Sequence, residues 1–519
     1  RNPDKETVLT PWRVVNMHLG KTIGGLSFYD KDYQYSYEDG NVIRRWIQTE
    51  YTDQTLTRDA HVLEINSKTG LYPLYVATSI YWREFQKMNE QTAGKFNFED
   101  ELLLWQRILR EDIFLVAKTP MAKEIARRTL AGYHSDWDIN AEYVENIVKD
   151  AKADVKKETK KIEGLFRNMK FDVVIGNPPY QDQAHGDQSN FTAPIYNEFM
   201  DLSYKLSDLV TLITPARFLF NAGSTPKDWN QKMLMDEHFK VVKYIQRSDE
   251  VFPNTDIKGG IIISLRDNNE VFASIYDRYK PAHIFVPEND LISILQKVYY
   301  SNFTSLSNIV YSRTSFKFTK KLHEDFPNAV NKLSKGHAFD VSSNIFERLP
   351  EVFEDSISNQ EKENYYAIIG RLNAKRVKKY IKKEYIFNSH NIEKYKVFLP
   401  QVNGNGTFGE TLSSPFVAKP GIGSTETFMS IGAFEDENEA LAAKKYLCTK
   451  FLRTLLDIKK TTQHNPVITW SFIPLQDFTF NSDIDWSKSV HEIDQQLYKK
   501  YDLSPDEINF IETKVQAME

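Results

Sequence analysis

The chain predicts an α/β domain with a mainly parallel sheet, followed by a second, mixed α+β domain. Three observations carry this. Short apolar runs at 61–66, 113–117, 171–176 and 209–213 alternate with helical stretches, the pattern of a parallel sheet joined by helices. Past about residue 275 that alternation fades, and loops gather around Gly336, 404–409 and 420–423. The length of 519 residues exceeds what one hydrophobic core usually spans. The boundary is placed between domains 1–275 and 276–519.

The elements follow in order. Residues 8–20 form a helix with Thr10 as N-cap, Pro11 at its first position and Gly20 at its end. Residues 61–66 form a short buried strand, followed by a turn at 67–70 and a helix from 71 to about 84. The strand 113–117 leads through Thr119 and Pro120 into a helix over 121–130. Residues 140–165, rich in Lys, Glu and Asp, read as charged helix with a solvated face. The strand 171–176 ends abruptly at a proline pair. A helix at 195–206 follows, then a strand at 209–213 ending at Thr214 and Pro215, and a helix over 229–236. Strands at 241–245 and 260–265 are separated by 14 residues that include Pro253 and Asn254. No clear helix lies between them, so an antiparallel edge pair is expected. Helices are expected again at 437–458 and 504–518.

Composition narrows the class of protein. With 41% hydrophobic and 26% charged residues the chain is ordinary for a globular protein. The net charge of −5 means that nucleic-acid binding would need local basic patches. Cys448 is the one cysteine, which rules out an internal disulfide or a cysteine metal cluster and suits a reducing cytoplasm. No apolar run approaches the roughly 18 residues that span a bilayer, and no signal peptide is evident. The first residue is Arg1, not Met, which fits a fragment of a longer chain or a missing initial disordered segment and leaves room upstream for a partner activity. If the intact system has a further activity such as a nuclease or helicase module, it is expected upstream or in another subunit.

The most informative stretch is residues 171–180. An apolar run stops at Asn177, Pro178, Pro179 and Tyr180, and two prolines cannot continue a strand. The turn holds an amide, backbone carbonyls and an aromatic face rigidly at the sheet edge, a set suited to gripping a planar amine and its ring. An aromatic exocyclic amine is a poor nucleophile because its lone pair is shared with the ring. Hydrogen bonds to its two protons, from an amide oxygen and a backbone carbonyl, favour a pyramidal nitrogen; positioning and electrostatics then carry the rate. This tetrapeptide resembles the catalytic motif of S-adenosylmethionine-dependent amino-group methyltransferases, most of which act on N6 of adenine in DNA.

The resemblance extends along residues 8–270 by motif. Residues 61–70 are similar to the family's cofactor motif, in which Glu64 ends the first strand and Gly70 lies in the turn; Asn66 lies between them. Lys68 stands where the family usually has glycine. Thr10 and Pro11 resemble the segment that closes over the methionine moiety of the cofactor. Residues 114–122 resemble the second strand and helix, with Ala117 where an acid usually holds the ribose. Residues 210–219, and 252–255 with 257–260, resemble the later loops around the base, with Phe252 a candidate to pack on it or a buried structural residue. The family implies a Rossmann-like class I fold, Asn177, Pro178, Pro179 and Tyr180 as catalytic residues with Tyr180 stacking on the base, and Asn177 also at the cofactor. A base inside a duplex must first be flipped out. No metal is required.

The motif order resembles the gamma arrangement of DNA adenine methyltransferases, nearest to the methylase part of single-chain type IIG restriction–modification proteins, with 276–519 as target-recognition domain. Double-stranded DNA is the implied partner. Local basic stretches fit it: 371–383, with Lys375, Arg376, Lys378 and Lys379, and 311–321, with Arg313, Lys317, Lys320 and Lys321. A solvated helix is the plain alternative for 371–383. Residues 403–407 and 463–465 offer amides for base edges. The sequence holds no clustered acids with lysine that would form a nuclease, and no Gly-Lys-Thr loop of a helicase. The alternatives are cytosine-N4 methylation, disfavoured by Asn177; glutamine methylation of a protein, disfavoured by the long C-terminal domain; and a catalytically inactive DNA-binding specificity module, suggested by Lys68 and Ala117.

Overall fold

The computed structural model describes residues 9–518 apart from 35–36, 39–40, 92–94, 96, 182–192, 254, 256, 302, 388–389, 405 and 461–462. Asn254 and residue 405, both in loops named above, therefore lie outside the described residues. The chain divides into two compact units, 1–278 with 283–285, and 279–282 with 286–519. Among the described residues, no helix is long and apolar enough to cross a membrane.

The first unit is a mixed α/β fold with a largely parallel central sheet. Its strands are β1 (Val62–Ser67), β2 (Ile113–Ala117), β3 (Asn140–Tyr143), β4 (Val173–Gly176), β5 (Leu209–Pro215), β6 (Phe239–Ile245) and β7 (Ile261–Asp267). They form a seven-stranded sheet in the order β6-β7-β5-β4-β1-β2-β3. From β3 through β5 neighbouring strands run parallel. β7 is antiparallel to both β5 and β6. Every residue of β1, β2, β4 and β5 is buried, as expected where helices cover both faces of a parallel sheet. Each buried Val, Leu or Ile there contributes about 1.5–3 kcal/mol of transfer free energy, which makes these runs the centre of the fold.

Three helices position the site. α1 (Trp12–Thr22) contributes Val14 and Met17 to a core that includes Ile213 of β5, Ile261 and Ile263 of β7, and Phe252. α2 (Leu71–Gln91) follows β1, and its Tyr72, Tyr75, Val76 and Ile80 pack with Val15 and Leu19 of α1. α3 (Pro120–Ala131) follows β2 and is capped by Thr119, whose side chain accepts from the Ala122 N–H.

Two details of the predicted helix at 8–20 differ. Its N-cap is Pro11, with no side-chain cap, because the Thr10 hydroxyl is engaged elsewhere. It also runs past Gly20 to Thr22; the turn comes at Gly24, whose φ of +79° is the left-handed conformation glycine adopts without strain. The charged run at 140–165 is not helical throughout. Asn140–Tyr143 forms the edge strand β3 beside β2, and helices begin only at Ile147 and Val155.

The second unit is mixed α+β. One sheet of four strands has the order Val310–Tyr311, Phe428–Phe434, Tyr395–Pro400, Phe416–Ala418. Another has Lys375–Lys382, Tyr365–Leu372 and Ile422–Ser424. The stretch at 437–458 is two helices, Glu437–Cys448 and Lys450–Leu456, broken at Thr449, which caps the second through the Leu452 N–H. The last helix, Pro505–Lys514, carries a capping box of Ser504 and Glu507.

Candidate active site

The site gathers at the C-terminal ends of β1, β4 and β5, where ligands enter open parallel sheets. β1 carries a register shift against β2 between Ile65 and Ser67. Asn66, at φ +64°, is the extra residue. Asparagine tolerates this left-handed conformation better than other side chains, and such a bulge re-aims the chain at a strand end. The Asn66 amide Nδ2 then donates to the backbone carbonyl of Asn177, at the end of β4, over 3.4 Å.

Asn177 is 4% exposed. Its Nδ2 donates to the Thr10 hydroxyl at 3.0 Å, so the residue expected to cap α1 instead holds the amide. Its Oδ1 is buried without a hydrogen-bond partner. Pro178 is buried and Pro179 half-buried. Tyr180 is half-buried against the core that contains Phe252, and its hydroxyl is also buried and unpartnered. Burial pushes the Tyr180 phenol well above its usual range.

Glu64 points the same way. It is 5% exposed, and its Oε2 lacks a partner, as do Ser67 Oγ and Thr214 Oγ1. Burial pushes the Glu64 carboxyl up to about 7, with the nearby Ser67 hydroxyl and the Lys68 charge offsetting part of that. Lys68, half-buried, has its amine lowered to about 8 by burial, with Glu64 opposing and Lys118 adding to the shift. Tyr72 belongs to the same cluster: its phenol is raised by burial and by Tyr180 and Glu64, and lowered by the Thr10 hydroxyl. A buried acceptor left unpaired costs about 1–3 kcal/mol. Five such atoms at adjoining strand ends are the chemistry of a ligand site: carboxylate, hydroxyl and amide oxygens ready to accept from amines and hydroxyls. They fit a polar cofactor and a planar amine.

Other expected residues fall elsewhere. Gly70, at φ +73°, lies against α3: a Cβ there would stand 2.9 Å from Ala126 Cα, so packing of α3 requires glycine at this turn. Pro11 accepts from the Val14 and Val15 N–H groups through its carbonyl. Ala117 ends β2 fully buried, with no side-chain oxygen and its carbonyl accepting from the Val144 N–H. Phe252 is 1% exposed within the core against which Tyr180 packs. Tyr72, Ser67 and Thr214 were missed, since nothing in their local sequence marks them.

In the second unit the basic stretch 371–383 is a β-hairpin, not a helix. Asn373 and Ala374, both with positive φ, make a two-residue turn between Tyr365–Leu372 and Lys375–Lys382. Strand alternation then splits the basic set. Arg376 and Lys378 share one face with Arg371, which pairs opposite Arg376. Lys375 and Lys379 take the other. Lys379 is bound to Asp355 at 2.7 Å, and Arg376 lies 4.4 Å over the Phe416 ring. A cavity of about 490 Å³ brings Arg313 and Arg371 of the two basic stretches together with Glu347, Asn373, Gln401 and Glu426. Of the amides expected to read base edges, Asn403 and Asn465 are buried and Gln463 is half-buried. Asn403 is 2% exposed and its amide donates to the Thr411 carbonyl, while Asn465 is fully buried with neither amide atom hydrogen-bonded.

Residues 111–252 match the family described as Eco57I restriction-modification methylase. This segment contains β2 through β5, the Asn177–Tyr180 turn and Phe252. A curated relative from Mycoplasma pneumoniae (strain ATCC 29342 / M129 / Subtype 1), an "uncharacterized adenine-specific methylase", is 32% identical over 106 residues, 20% of this chain and 25% of the relative. The chain thus spans about a quarter of the length of the curated relative it matches. Among solved structures, the chain resembles the type IIL restriction-modification enzyme MmeI in complex with DNA, at 9% identity over 88% of this chain and 73% of that one, with a TM-score of 0.45. It also resembles the type ISP restriction-modification enzyme LlaBIII bound to DNA, at 11% identity over 89% and 38%, with a TM-score of 0.41.

Proposed function

We propose that the chain is a site-specific DNA methyltransferase that moves a methyl group from S-adenosylmethionine to N6 of a flipped-out adenine within a restriction–modification system. The observation that carries the reading is Asn177: its amide nitrogen is held by Thr10 and its oxygen is buried with no partner. Bound at the ends of β1 and β4, S-adenosylmethionine supplies an electrophilic methyl carbon on a sulfonium. Glu64, Ser67 and Asn66 line that end of the sheet and offer acceptors and donors to its polar groups. Asn177 Oδ1 and the Pro178 carbonyl accept the two hydrogens of the adenine amine, which raises the lone-pair character of N6. Tyr180, backed by an apolar core, offers its ring to the base. As N6 takes the methyl carbon, the bond from that carbon to sulfur breaks with its electron pair, and one N6 proton leaves to solvent.

The first unit would thus carry out transfer, in a Rossmann-like fold, and the second would read the target. Its Arg371–Arg376–Lys378 face suits phosphates, and the cavity with Arg313, Asn373 and Gln401 offers groups for base edges. Incubation of the full chain with methyl-labelled S-adenosylmethionine and a duplex library, followed by modified-base sequencing, tests this. N6-methyladenine in one sequence context is expected. N4-methylcytosine would select that alternative. No transfer, together with no S-adenosylmethionine binding by calorimetry, would select the inactive DNA-binding module.

A further inference from the structure

Three residues of α1 stand in one row: Arg13, Met17 and Lys21, at i, i+4 and i+8. The row is about 12 Å from end to end along the helix. Met17, its middle member, is 3% exposed and packs into the core with Ile213, Ile261 and Ile263. Arg13 is half-buried and Lys21 exposed.

A third cation joins this row from the sheet. The pairing of β6 with β7 shifts register between Val241 and Lys243, a bulge of the kind that re-aims a side chain. Lys243 is half-buried opposite Ile263, and its Nζ lies 3.6 Å from the Met17 sulfur. The ammonium thus stands beside the residue that separates the two cations of α1. Burial lowers the Lys243 amine, and the charges of Lys21 and Arg13 lower it further, with Glu250 opposing them.

The partners of these cations are neutral. Arg13 Nη2 donates to the Glu250 carbonyl at 2.7 Å. Lys21 lies 5.5 Å from the centre of the Tyr33 ring. Lys243 meets a thioether, a weak acceptor. Among the described residues, none of the three makes an ion pair. The acids of the neighbouring segments are engaged with other bases: Glu50 with Lys240 at 3.1 Å, and Asp249 and Glu250 with Arg247 at 2.9 and 3.9 Å. Like charges gathered on a partly buried face repel one another. An anion laid along the row would relieve that repulsion, and a guanidinium fork with two ammoniums suits phosphate.

Arg13 is three residues beyond Thr10, whose hydroxyl accepts from Asn177 Nδ2. The row therefore begins within one helical turn of the group that holds the Asn177 amide. A base leaves the duplex by rotation about its backbone, and groups that grip the adjoining phosphates fix the strand while it does.

We propose that Arg13, Lys21 and Lys243 form a phosphate-binding row on the first unit that holds the backbone of the strand carrying the target adenine. The choice of strand rests on the methyltransferase reading; the charge cluster does not. The row gives the first unit a grip on DNA of its own, in addition to the basic hairpin of the second.

Lys21→Gln, Lys243→Gln and the double variant of the full chain test it, with Arg13 left in place because it also holds the Glu250 carbonyl. Affinity for a duplex of mixed sequence is read by fluorescence anisotropy across a salt series. The slope of log affinity against log salt should fall by about 0.9 for each lysine removed and by about 1.8 for both. Cofactor affinity by calorimetry should be unchanged, and the Tm without DNA should equal or exceed that of wild type, because a repulsion has been removed. A target duplex with uncharged methylphosphonates flanking the methylated adenine should bind wild type more weakly than the natural duplex does, and should bind the double variant equally well. Unchanged salt slopes, or a methylphosphonate penalty that persists in the double variant, overturn the proposal. So does a loss of cofactor affinity at unchanged slope, which would assign the row to the cofactor. A wild-type chain that transfers no methyl refutes the reading of the site instead; slopes that still fall with each lysine then keep the row as a DNA contact, and slopes that do not remove it as well.

Discussion

Glu64→Gln should make the protein more stable at alkaline pH while weakening cofactor binding. Glu64 is almost fully buried, has an unpartnered oxygen, and its carboxyl is raised from 4.5 to about 7 by desolvation. The folded state therefore holds this proton over a range where the unfolded chain has lost it. Linkage gives the sign: the stability contribution is full below pH 4.5, falls as pH rises, and is lost once pH passes about 7. Each tenfold in proton affinity is about 1.4 kcal/mol, so the ionised carboxylate costs the fold about 3 kcal/mol above that range. Glutamine never ionises and escapes this cost.

Part of the gain is returned. Lys68, whose amine burial lowers to about 8, is attracted by the Glu64 charge, and the variant removes that attraction. A net gain of about 2 kcal/mol is expected at about pH 8, or an increase of roughly 4–8 °C in the Tm of the first unit. At about pH 5 the gain should nearly vanish, because wild-type Glu64 is then protonated when folded. Thermal and urea unfolding of both proteins at the two pH values measure it. Cofactor affinity, by calorimetry, should fall at least tenfold, as expected for one hydrogen bond to a charged acceptor. A variant less stable than wild type at the higher pH, or a gain equal at both, would refute the account of Glu64 as a destabilised ligand group.

Three further outcomes are expected. Asn177→Ala should abolish nearly all methyl transfer while leaving DNA affinity by fluorescence anisotropy within about twofold, since Asn177 acts through one oriented amide; substantial turnover would remove it from the chemistry. In the second-unit hairpin, Lys378→Gln should lower the slope of log affinity against log salt by about 0.9, one phosphate contact, whereas Lys379→Gln should leave it unchanged because Asp355 already holds that ammonium. Equal slopes in the two variants would take this face out of the interface. Gly70→Ala should destabilise the first unit by about 1–3 kcal/mol in urea unfolding, from an unfavourable left-handed φ and the contact with Ala126; wild-type stability would show that α3 can move away.

The parallel core was legible because its strands are buried on both faces. Residues 113–117 and 209–213 read as continuous apolar runs for that reason, and they form β2 and most of β5. Asn177 was legible because it sits where such a run stops, and Glu64 because a lone acid interrupts one. What the sequence hid depends on long-range packing. His18 meets Tyr72 and Thr211, 54 and 193 positions away, and a histidine on an amphipathic helix carries no local sign of that. Thr10 read as a cap because threonine before proline usually is one; only the arrival of Asn177 diverts its hydroxyl. The basic hairpin was obscured because lysine favours helix in isolation, while the two left-handed residues at Asn373 and Ala374 set a strand register that composition does not reveal.

The contrast within β5 and β7 argues that the unpaired acceptors serve a ligand and are not accidents of packing. In the middle of these strands, Thr211 donates to the Ser264 carbonyl and Ser264 to the Leu212 carbonyl, at 2.9 and 3.3 Å. At the end of β5, Thr214 is as deeply buried, but its hydroxyl has no partner. The two threonines share a strand and a degree of burial but lie on opposite faces of the sheet, and Thr214 lies nearer its rim. Folding alone favours satisfying both. Unsatisfied atoms recur on the neighbouring strand ends at Glu64, Ser67 and Asn177, where a substrate and cofactor would supply the missing donors. Local rules that fail together at one rim, and hold a few ångströms deeper in the same strands, mark a surface built to be completed by what it binds.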